Sequence, residues 1–223
     1  MKTRDQMKAV SYLAALSASI FISTTTIAEE APGYYGTIYM GASNLSASKI
    51  TETRTNGITL DERIKFKNGG ALGGALGYRY GNGWAAELAW DYRTHGLKNK
   101  QNMIAGGDFA SNTLFVNGYY RFTKIGSIRP FVGLGVGWAQ EIDIDIDRSG
   151  QSLSYQRKNG SAVQAIVGGE LEISSNLALV GDLRLMKFNT GSFKAERPEA
   201  GGVLTNKPKY QPVSIHLGMS YKF

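Results

Sequence analysis

The sequence predicts an all-β protein: a closed eight-stranded antiparallel transmembrane β-barrel with short periplasmic turns and four long extracellular loops. Three observations lead there. Apolar residues recur at every second position through most of the chain, which is the period of a strand with two unlike faces. Gly is abundant, 28 of 223 residues, while Pro is held to five, so the excess belongs to neither a collagen repeat nor a Pro/Gly linker. Charges avoid the apolar face of each alternating segment and gather on the other face, as a wall between lipid and a polar lumen requires.

The first 28 residues stand apart from this pattern. Lys2, Arg4 and Lys8 form a basic start, Ala9 to Ile22 is largely apolar, and Thr26-Ile27-Ala28 offers small residues before a cleavage point. That is the layout of an export signal. A membrane anchor is the competing reading, but the apolar stretch falls short of the ~20 residues that span a bilayer. Its flank is Ser/Thr-rich, without the basic residues that stop transfer. The expected division is a signal peptide over 1–28 and one barrel domain over 29–223. The absence of Cys excludes disulfides, thiol chemistry, a zinc ribbon and a lipoprotein anchor. With two His, a His-rich metal site is a poor expectation.

Eight strands can be marked in order. Near 34–43, Tyr34, Ile38, Met40 and Ala42 alternate with Tyr35, Thr37, Tyr39 and Ser43. Near 71–80, Leu72, Leu76, Tyr78 and Tyr80 oppose Arg79 and small residues. Near 84–93, Trp84, Ala86, Leu88, Trp90 and Tyr92 oppose Glu87, Asp91 and Arg93. Near 113–122, Leu114, Val116, Tyr120 and Phe122 oppose Phe115, Asn117, Tyr119 and Arg121. Near 130–139, Val132, Leu134, Val136 and Trp138 oppose Gly133, Gly135 and Gly137. Near 161–173, Val163, Ala165, Val167, Leu171 and Ile173 oppose Gln164, Glu170 and Glu172. Near 177–186, Leu177, Leu179, Leu183 and Leu185 oppose Asp182 and Arg184. The last strand alternates without a break from Val213 to Phe223, with His216 and Lys222 on its polar face.

The connections alternate in length. Gly81–Gly83, Thr123–Arg129 and Ser174–Asn176 are short, whereas 44–70, 94–112, 140–160 and 187–211 are long. Outer-membrane barrels have an even strand number, short periplasmic turns and longer outside loops. A turn at Gly81–Gly83 pairs Tyr78 with Ala86 and Leu76 with Leu88. A turn at Ser174–Asn176 pairs Leu171 with Leu179. Apolar meets apolar in both, and a one-residue slip would invert every side chain.

Parity alone does not say which face is inside, and a soluble lipocalin-like barrel would invert the assignment. The export signal, the uninterrupted apolar band and the terminal Phe223 favour lipid outside. The lumen is then expected to hold a balanced ion-pair network of Arg79, Glu87, Asp91, Arg93, Arg121, Glu170, Glu172, Asp182, Arg184 and Lys222, with His216 and Gln164 nearby. Buried charges cost several kcal/mol each unless paired. Tyr78, Tyr80, Trp84, Tyr120, Phe122, Tyr221 and Phe223 cluster at the short-turn ends, and Trp90, Tyr92 and Trp138 toward the other rim. Two aromatic girdles at headgroup level are expected from this.

The strings RPFVGLGVGWA, LALVGDLRLMKF and VSIHLGMSYKF resemble the small outer-membrane β-barrel family that includes the OmpA transmembrane domain and OmpX. More loosely, the chain is similar to bacterial surface antigens of the same size. The resemblance covers roughly residues 33–223. It implies residence in the outer membrane of a Gram-negative bacterium, with outer-membrane lipids and the assembly machinery as partners, the latter through the C-terminal strand.

Sites of chemistry are few. Glu141, Asp143, Asp145 and Asp147 alternate with Ile142, Ile144 and Ile146, but alternate strand residues lie ~6.8 Å apart and the EF-hand spacing is missing. The string is read instead as the fifth strand continuing above the membrane. Trp138 and the three Ile are expected on one face, with a turn at Ser149-Gly150 pairing Ile144 with Tyr155 and Glu141 with Lys158. Loop one, through Arg63, Lys65 and Lys67, is expected to supply further bases to the carboxylates. No Ser-His-acid set is evident: His95 falls in a loop and His216 in the lumen. The run GGALGG at 69–74 lacks G-K-[ST] and is read as relief of crowding in a narrow barrel. No catalytic residue, cofactor or metal site is therefore assigned.

The reading is a non-enzymatic surface protein, structural or adhesin-like, expected as a monomer. Its loops would meet a host surface ligand. The alternative is a lipid-modifying outer-membrane enzyme or a small pore. Loops one and four carry net positive charge, which suits phosphate-rich lipid heads or acidic glycans. No basic stripe interleaved with aromatics marks a nucleic-acid surface.

Overall fold

The computed structural model describes residues 31–53, 57–98, 104–148, 151–195, 203–204 and 209–223. The expected export signal and the Ser149-Gly150 turn lie outside the described residues. The strands, in chain order, are β1 (Gly33–Leu45), β2 (Ser48–Thr53), β3 (Thr59–Ile64), β4 (Gly69–Arg79), β5 (Trp84–Gly96), β6 (Ile104–Gly106) and β7 (Asp108–Arg121). They continue as β8 (Ile128–Arg148), β9 (Gln151–Glu172), β10 (Leu177–Asn189), β11 (Phe193–Ala195), β12 (Val203–Leu204) and β13 (Pro212–Lys222).

Eight of them close the barrel. Antiparallel pairing runs β1–β4–β5–β7–β8–β9–β10–β13 and returns from β13 to β1. Closure pairs the backbone all round, so no open edge meets lipid. The registers are those the hairpin arithmetic gives: Leu76 with Leu88, Leu171 with Leu179, Val136 with Val163, Ile144 with Tyr155 and Glu141 with Lys158. Apolar residues of the alternating face point outward; Ile38, Leu76, Leu134 and Ile215 are each more than 60% exposed. In a soluble protein such a band would be an aggregation hazard; here it is the lipid-facing surface.

Two aromatic belts bound that surface. At the short-turn end Tyr34, Tyr78 and Tyr80 stack edge to face, as do Trp84, Tyr120 and Phe122, and Tyr221 with Phe223. At the other rim the indole N–H of Trp90 donates to Asn112 at 2.6 Å and that of Trp138 to Asn159 at 3.2 Å. Each ring thus has an apolar body toward lipid and a satisfied polar tip, the requirement at a membrane interface.

The glycine face of β8 follows from crowding. A side chain at Gly133 would run into Tyr119, one at Gly135 into Asn117 and one at Gly137 into Phe115. Across the barrel, Gly73 and Gly77 leave room for Tyr39 and Tyr35 in the same way. An eight-stranded lumen has only enough width for side chains to lie across it, so large residues on one strand demand glycine on the next.

Above the outer belt the wall continues through the loops. β2 pairs with β3 and β12, β12 with β11, and β11 with the upper part of β9, while β6 pairs with the top of β8. Phe66 bridges to Leu97, whose N–H donates to the Gly107 carbonyl at 2.8 Å. Loop one therefore docks on residues 96–98. The strands flanking the extension of β8 are β7, then β6 at its top, on one side and β9 on the other, so the expectation that Arg63, Lys65 and Lys67 form its neighbour is corrected.

The faces of β8 also differ from the sequence reading. Asn112 of β7 pairs with Glu141 while Thr113 pairs with Ala139, leaving Gln140 as an extra residue. This is a β-bulge. Opposite it on β9, Asn159 takes the left-handed conformation, φ 60°, which Asn tolerates better than most side chains. Below the bulge Val132, Leu134, Val136 and Trp138 face lipid. Above it Ile142, Ile144 and Ile146 are fully buried inside. Trp138 and the isoleucines are thus on opposite faces, because the surroundings change from lipid to water at this level and the bulge turns the strand over.

Candidate functional site

The interior has two layers. The lower one, within the membrane, is polar. Glu170 on β9 accepts from Arg79 and Arg121, each at 2.6 Å, and the Arg79 guanidinium lies 4.8 Å from the centre of the Tyr35 ring. Higher up, Asp182 and Arg184 on β10 form a two-pronged pair at 2.9 and 3.0 Å. Arg184 also reaches Asp91 at 3.2 Å, and Asp91 accepts from Arg93 at 2.9 Å. His216 Nδ1 stands 2.8 Å from Asp182, and Arg184 sits 4.2 Å over the Tyr39 ring. These side chains alternate inward on β4, β5, β7, β9, β10 and β13, so their strand parity alone brings them together.

Three sequence-assigned members sit differently. Glu87 is buried, but its described partners are neutral donors: the hydroxyls of Tyr35 and Tyr119 at 3.2 and 3.0 Å and the Asn117 amide at 3.1 Å. Gln164 supports this group by donating to Asn117 at 2.7 Å. Glu172 is at the periplasmic mouth, partly exposed, where it pairs with Lys124 and, at 3.5 Å, Arg129. Lys222 is also at the mouth and donates to the Ala31 carbonyl at 2.7 Å. The rim assignment corrects the lumen reading for Glu172 and Lys222, which terminate their strands. Lys124 and Arg129 were missed. Arg129 lies on the inward parity of Gly133, Gly135 and Gly137, one residue before the expected start of that strand.

The network ends upward in small hydroxyls. Arg93 donates to Ser214 at 3.3 Å, Ser214 to Ser43 at 2.8 Å, and His95 Nε2 lies 3.0 Å from Ser43. A Ser–His pair therefore exists that spacing did not announce. It is sealed: Ser43 and His95 are 2% and 0% exposed, with Tyr210 edge-on to the imidazole. His95 is three residues beyond Tyr92 and so above the outer belt. Burial, with Arg93 adding to it, pushes its pKa down to about 4.

Above this point the interior is apolar. Leu45, Ile64, Leu97, Phe109, Ile142, Ile144, Ile146, Phe188, Phe193 and Tyr210 form one buried cluster, drawn from all four long loops. Between the layers of the lower lumen a cavity of about 50 Å³ remains beside Tyr35, Glu87, Tyr119 and Arg184, room for a few water molecules.

The outer surface of the extension carries the charges. Glu141, Asp143, Asp145 and Asp147 point away from the core, and Lys158 approaches Glu141 at 3.9 Å. Extending the Phe109–Ile144 pairing by one residue brings Asp108 toward Asp145. Partial burial, then the charges of Asp145 and Asp147, hold the Asp108 carboxyl above the usual carboxylate range. Among the described residues no group of three or more His, Asp or Glu side chains converges enough to hold a metal ion.

A closed barrel with a lipid-facing apolar band between aromatic belts and a paired polar lumen defines an outer-membrane β-barrel protein. The chain belongs to the outer membrane protein beta-barrel domain family, whose model matches residues 13–223. No curated protein matches it. Among solved structures it is similar to the outer membrane protein OprG from Pseudomonas aeruginosa, at 16% identity and TM-score 0.61, over 89% of this chain and 99% of that one. It is also similar to the outer membrane protein AlkL, at 16% identity and TM-score 0.52, over 91% and 97%. Neisserial surface protein A matches at 16% identity and TM-score 0.51, over 87% and 100%. At such identities these likenesses establish the shared barrel fold.

Proposed function

We propose that this chain is an exported, monomeric surface protein of the Gram-negative outer membrane. Its barrel anchors a rigid extracellular β-wall, and that wall is the interaction surface, structural or adhesin-like in role. One observation carries the reading: the interior is filled at two levels, by the ion-pair network from Glu170 to Arg93 and by the apolar cluster above it. A filled lumen with opposite charges paired does not present the single-sign ring or open path of a selective pore. The likeness to a Neisserial surface protein supports the surface role. Ser43 and His95 give no access to a substrate, so catalysis is not part of the proposal.

The test pairs a deletion strain with the purified protein. Deletion should alter host-cell adherence or envelope integrity, and the protein in planar bilayers should show no stable ohmic channel. Normal adherence and envelope together with steady single-channel conductance would overturn the reading in favour of a pore.

A further inference from the structure

We infer that the two glutamates just ahead of the first strand, Glu29 and Glu30, dock in the periplasmic mouth of the barrel as an acidic stopper. This rests on the exported, outer-membrane reading proposed above, which makes Glu29 the first residue of the mature chain, and it adds an occupant for the lower end of the lumen. Both glutamates lie outside the described residues; what places them is their neighbour Ala31.

The mouth is a polar bowl of about 250 Å³. Lys124, Arg129, Glu172 and Lys222 stand at its rim, and the buried Arg79 and Glu170 at its inner end. Its charges do not balance. Glu170 is shared by Arg79 and Arg121, and Glu172 by Lys124 and Arg129. Lys222 adds a fifth cation, which donates to the Ala31 carbonyl. Five cationic side chains thus meet two carboxylates, a surplus of three positive charges among the described residues. Arg79, Arg121 and Arg129 are each less than a tenth exposed, so water compensates this surplus poorly, and enclosed charge of one sign favours an anion. Higher in the lumen Asp91 and Asp182 match Arg93 and Arg184. Glu87, held by neutral donors, offsets at most one of the three charges. Two carboxylates are wanting, and Glu29 and Glu30 supply two.

The path of the chain selects this segment over other anions. Lys222 alternates inward on β13, and its stem crosses the bare Cα of Gly33, where a side chain would meet Lys222 Cε at 3.1 Å. Its ammonium then reaches the Ala31 carbonyl at 2.7 Å. The chain ahead of β1 is therefore held on the lumen side of the rim, away from the lipid-facing wall. Two residues of extended chain cover about 7 Å, enough to lay both carboxylates in the bowl. A freely diffusing anion has to compete with acids already tethered at the edge, whose effective concentration is in the millimolar range. A phospholipid headgroup of the inner leaflet is excluded on another ground: its acyl chains would stay on the far side of a closed wall. Docking also ties the end of β13 to the residues ahead of β1, across the seam where the barrel closes.

The test uses the mature chain, residues 29–223, folded in phosphatidylcholine vesicles and treated with a water-soluble carbodiimide, which joins carboxylates to amines in contact. Peptide mapping by mass spectrometry should find Glu29 or Glu30 linked to Lys124 or Lys222. A Lys124–Glu172 link, expected from their ion pair, shows that the reagent reached the mouth. Raised salt should reduce the links to Glu29 and Glu30. A second measurement adds the dipeptide acetyl-Glu-Glu-amide and follows the backbone amide resonances of Ser220 and Lys222. A chain beginning at Ala31 should bind it saturably, and the mature chain about tenfold more weakly, because a tethered competitor already fills the bowl. Glu29→Gln/Glu30→Gln should bind it like the shortened chain. Unlinked Glu29 and Glu30 beside a strong Lys124–Glu172 link would overturn the inference. So would the same dipeptide response from mature and shortened chains, whether both bind or neither does. N-terminal sequencing and fractionation of cells keep the two ideas apart: a chain that is not exported to the outer membrane sinks the functional reading, while an exported chain with both glutamates unlinked sinks only this one.

Discussion

The membrane-spanning part and the extracellular extension are built from the same strands with their contents exchanged. Below the outer belt the outside is apolar and the inside is charged, with Asp91, Arg93, Asp182 and Arg184 nearly inaccessible. Above it the inside is Phe109, Ile144 and Phe193, and the outside is Asp143, Asp145 and Asp147. The exchange shows that neither arrangement is a property of a strand as such. The solvent outside decides: hydrocarbon accepts Leu134 and rejects charge, whereas water drives Ile142, Ile144 and Ile146 inward for about 1.5–3 kcal/mol each. Most strands make the change by switching residue chemistry at constant parity, as β10 does from Asp182 and Arg184 to Met186 and Phe188. In β8 and β9 the parity itself changes, at Gln140 and Asn159.

The most severe way to break the comparison is to remove the device that turns β8 over. Deleting Gln140 would restore parity, expose the three isoleucines and send Asp143 and Asp145 inward. We expect a loss of roughly 5 kcal/mol or more in the extension, seen as fast amide exchange through residues 142–155 while the membrane strands stay protected. Persistent protection at Ile142–Ile146 would mean that the bulge is not what sets the faces.

Next in size is Asp91→Ala in the lower layer. It strips the shared carboxylate from Arg93 and Arg184 together, and leaving buried charge uncompensated costs about 3–5 kcal/mol. Urea titration in lipid vesicles measures it. Replacing Asp91, Arg93 and Arg184 jointly by apolar residues of similar volume should cost far less. A triple variant as unstable as the single one would show that the network does more than satisfy itself.

His95 marks the boundary between the layers and should report on it by pH. Its folded-state pKa of about 4 lies below the 6.5 of an open chain. The unfolded chain therefore binds the extra proton first. Stability is full above pH 6.5 and is lost as pH falls through the window down to about 4, by on the order of 3 kcal/mol in all. His95→Gln should flatten that part of the profile. An unchanged slope between pH 6.5 and 4 would show that the imidazole is not sealed.

These contrasts also explain what could be read from the chain. The eight barrel strands and their registers were legible because lipid on one side and charge on the other make parity visible over long runs, as from Val213 to Phe223. The paired charges of β9 and β10 were legible for the same reason. The inversion at Gln140 was not: one extra residue in β8 leaves the Ile/Asp alternation intact, and only the pairing of Asn112 and Thr113 with a stretch one residue longer reveals it. The Ser43–His95 contact spans strands that are not consecutive in the barrel's polar pattern. The docking of Phe66 against Leu97 joins two loops, where no periodicity constrains the partner.

The smallest expected effect concerns the outer face of the extension, where the comparison predicts slack. Inside either layer a change of charge is severe, but outside, water screens it. Asp108 comes one residue before the Phe109–Ile144 pair, on the side of Asp145, whose charge acts on it, and like charges so placed cost about 0.2–1 kcal/mol. Asp145→Asn should therefore stabilise the extension by that amount at neutral pH, with Asp108 returning toward the usual carboxylate range. The sign follows from linkage: a carboxyl whose pKa is raised on folding holds its proton more tightly when folded. The extension then gains stability as pH falls through that pKa, opposite in direction to the effect of His95. In Asp145→Asn the acid-side gain should shrink while the His95 loss is untouched. Amide exchange of Phe109 and Ala110 between pH 7 and 4 resolves the two. Destabilisation by Asp145→Asn would mean that the carboxylate is held by a partner worth more than its repulsion from Asp108.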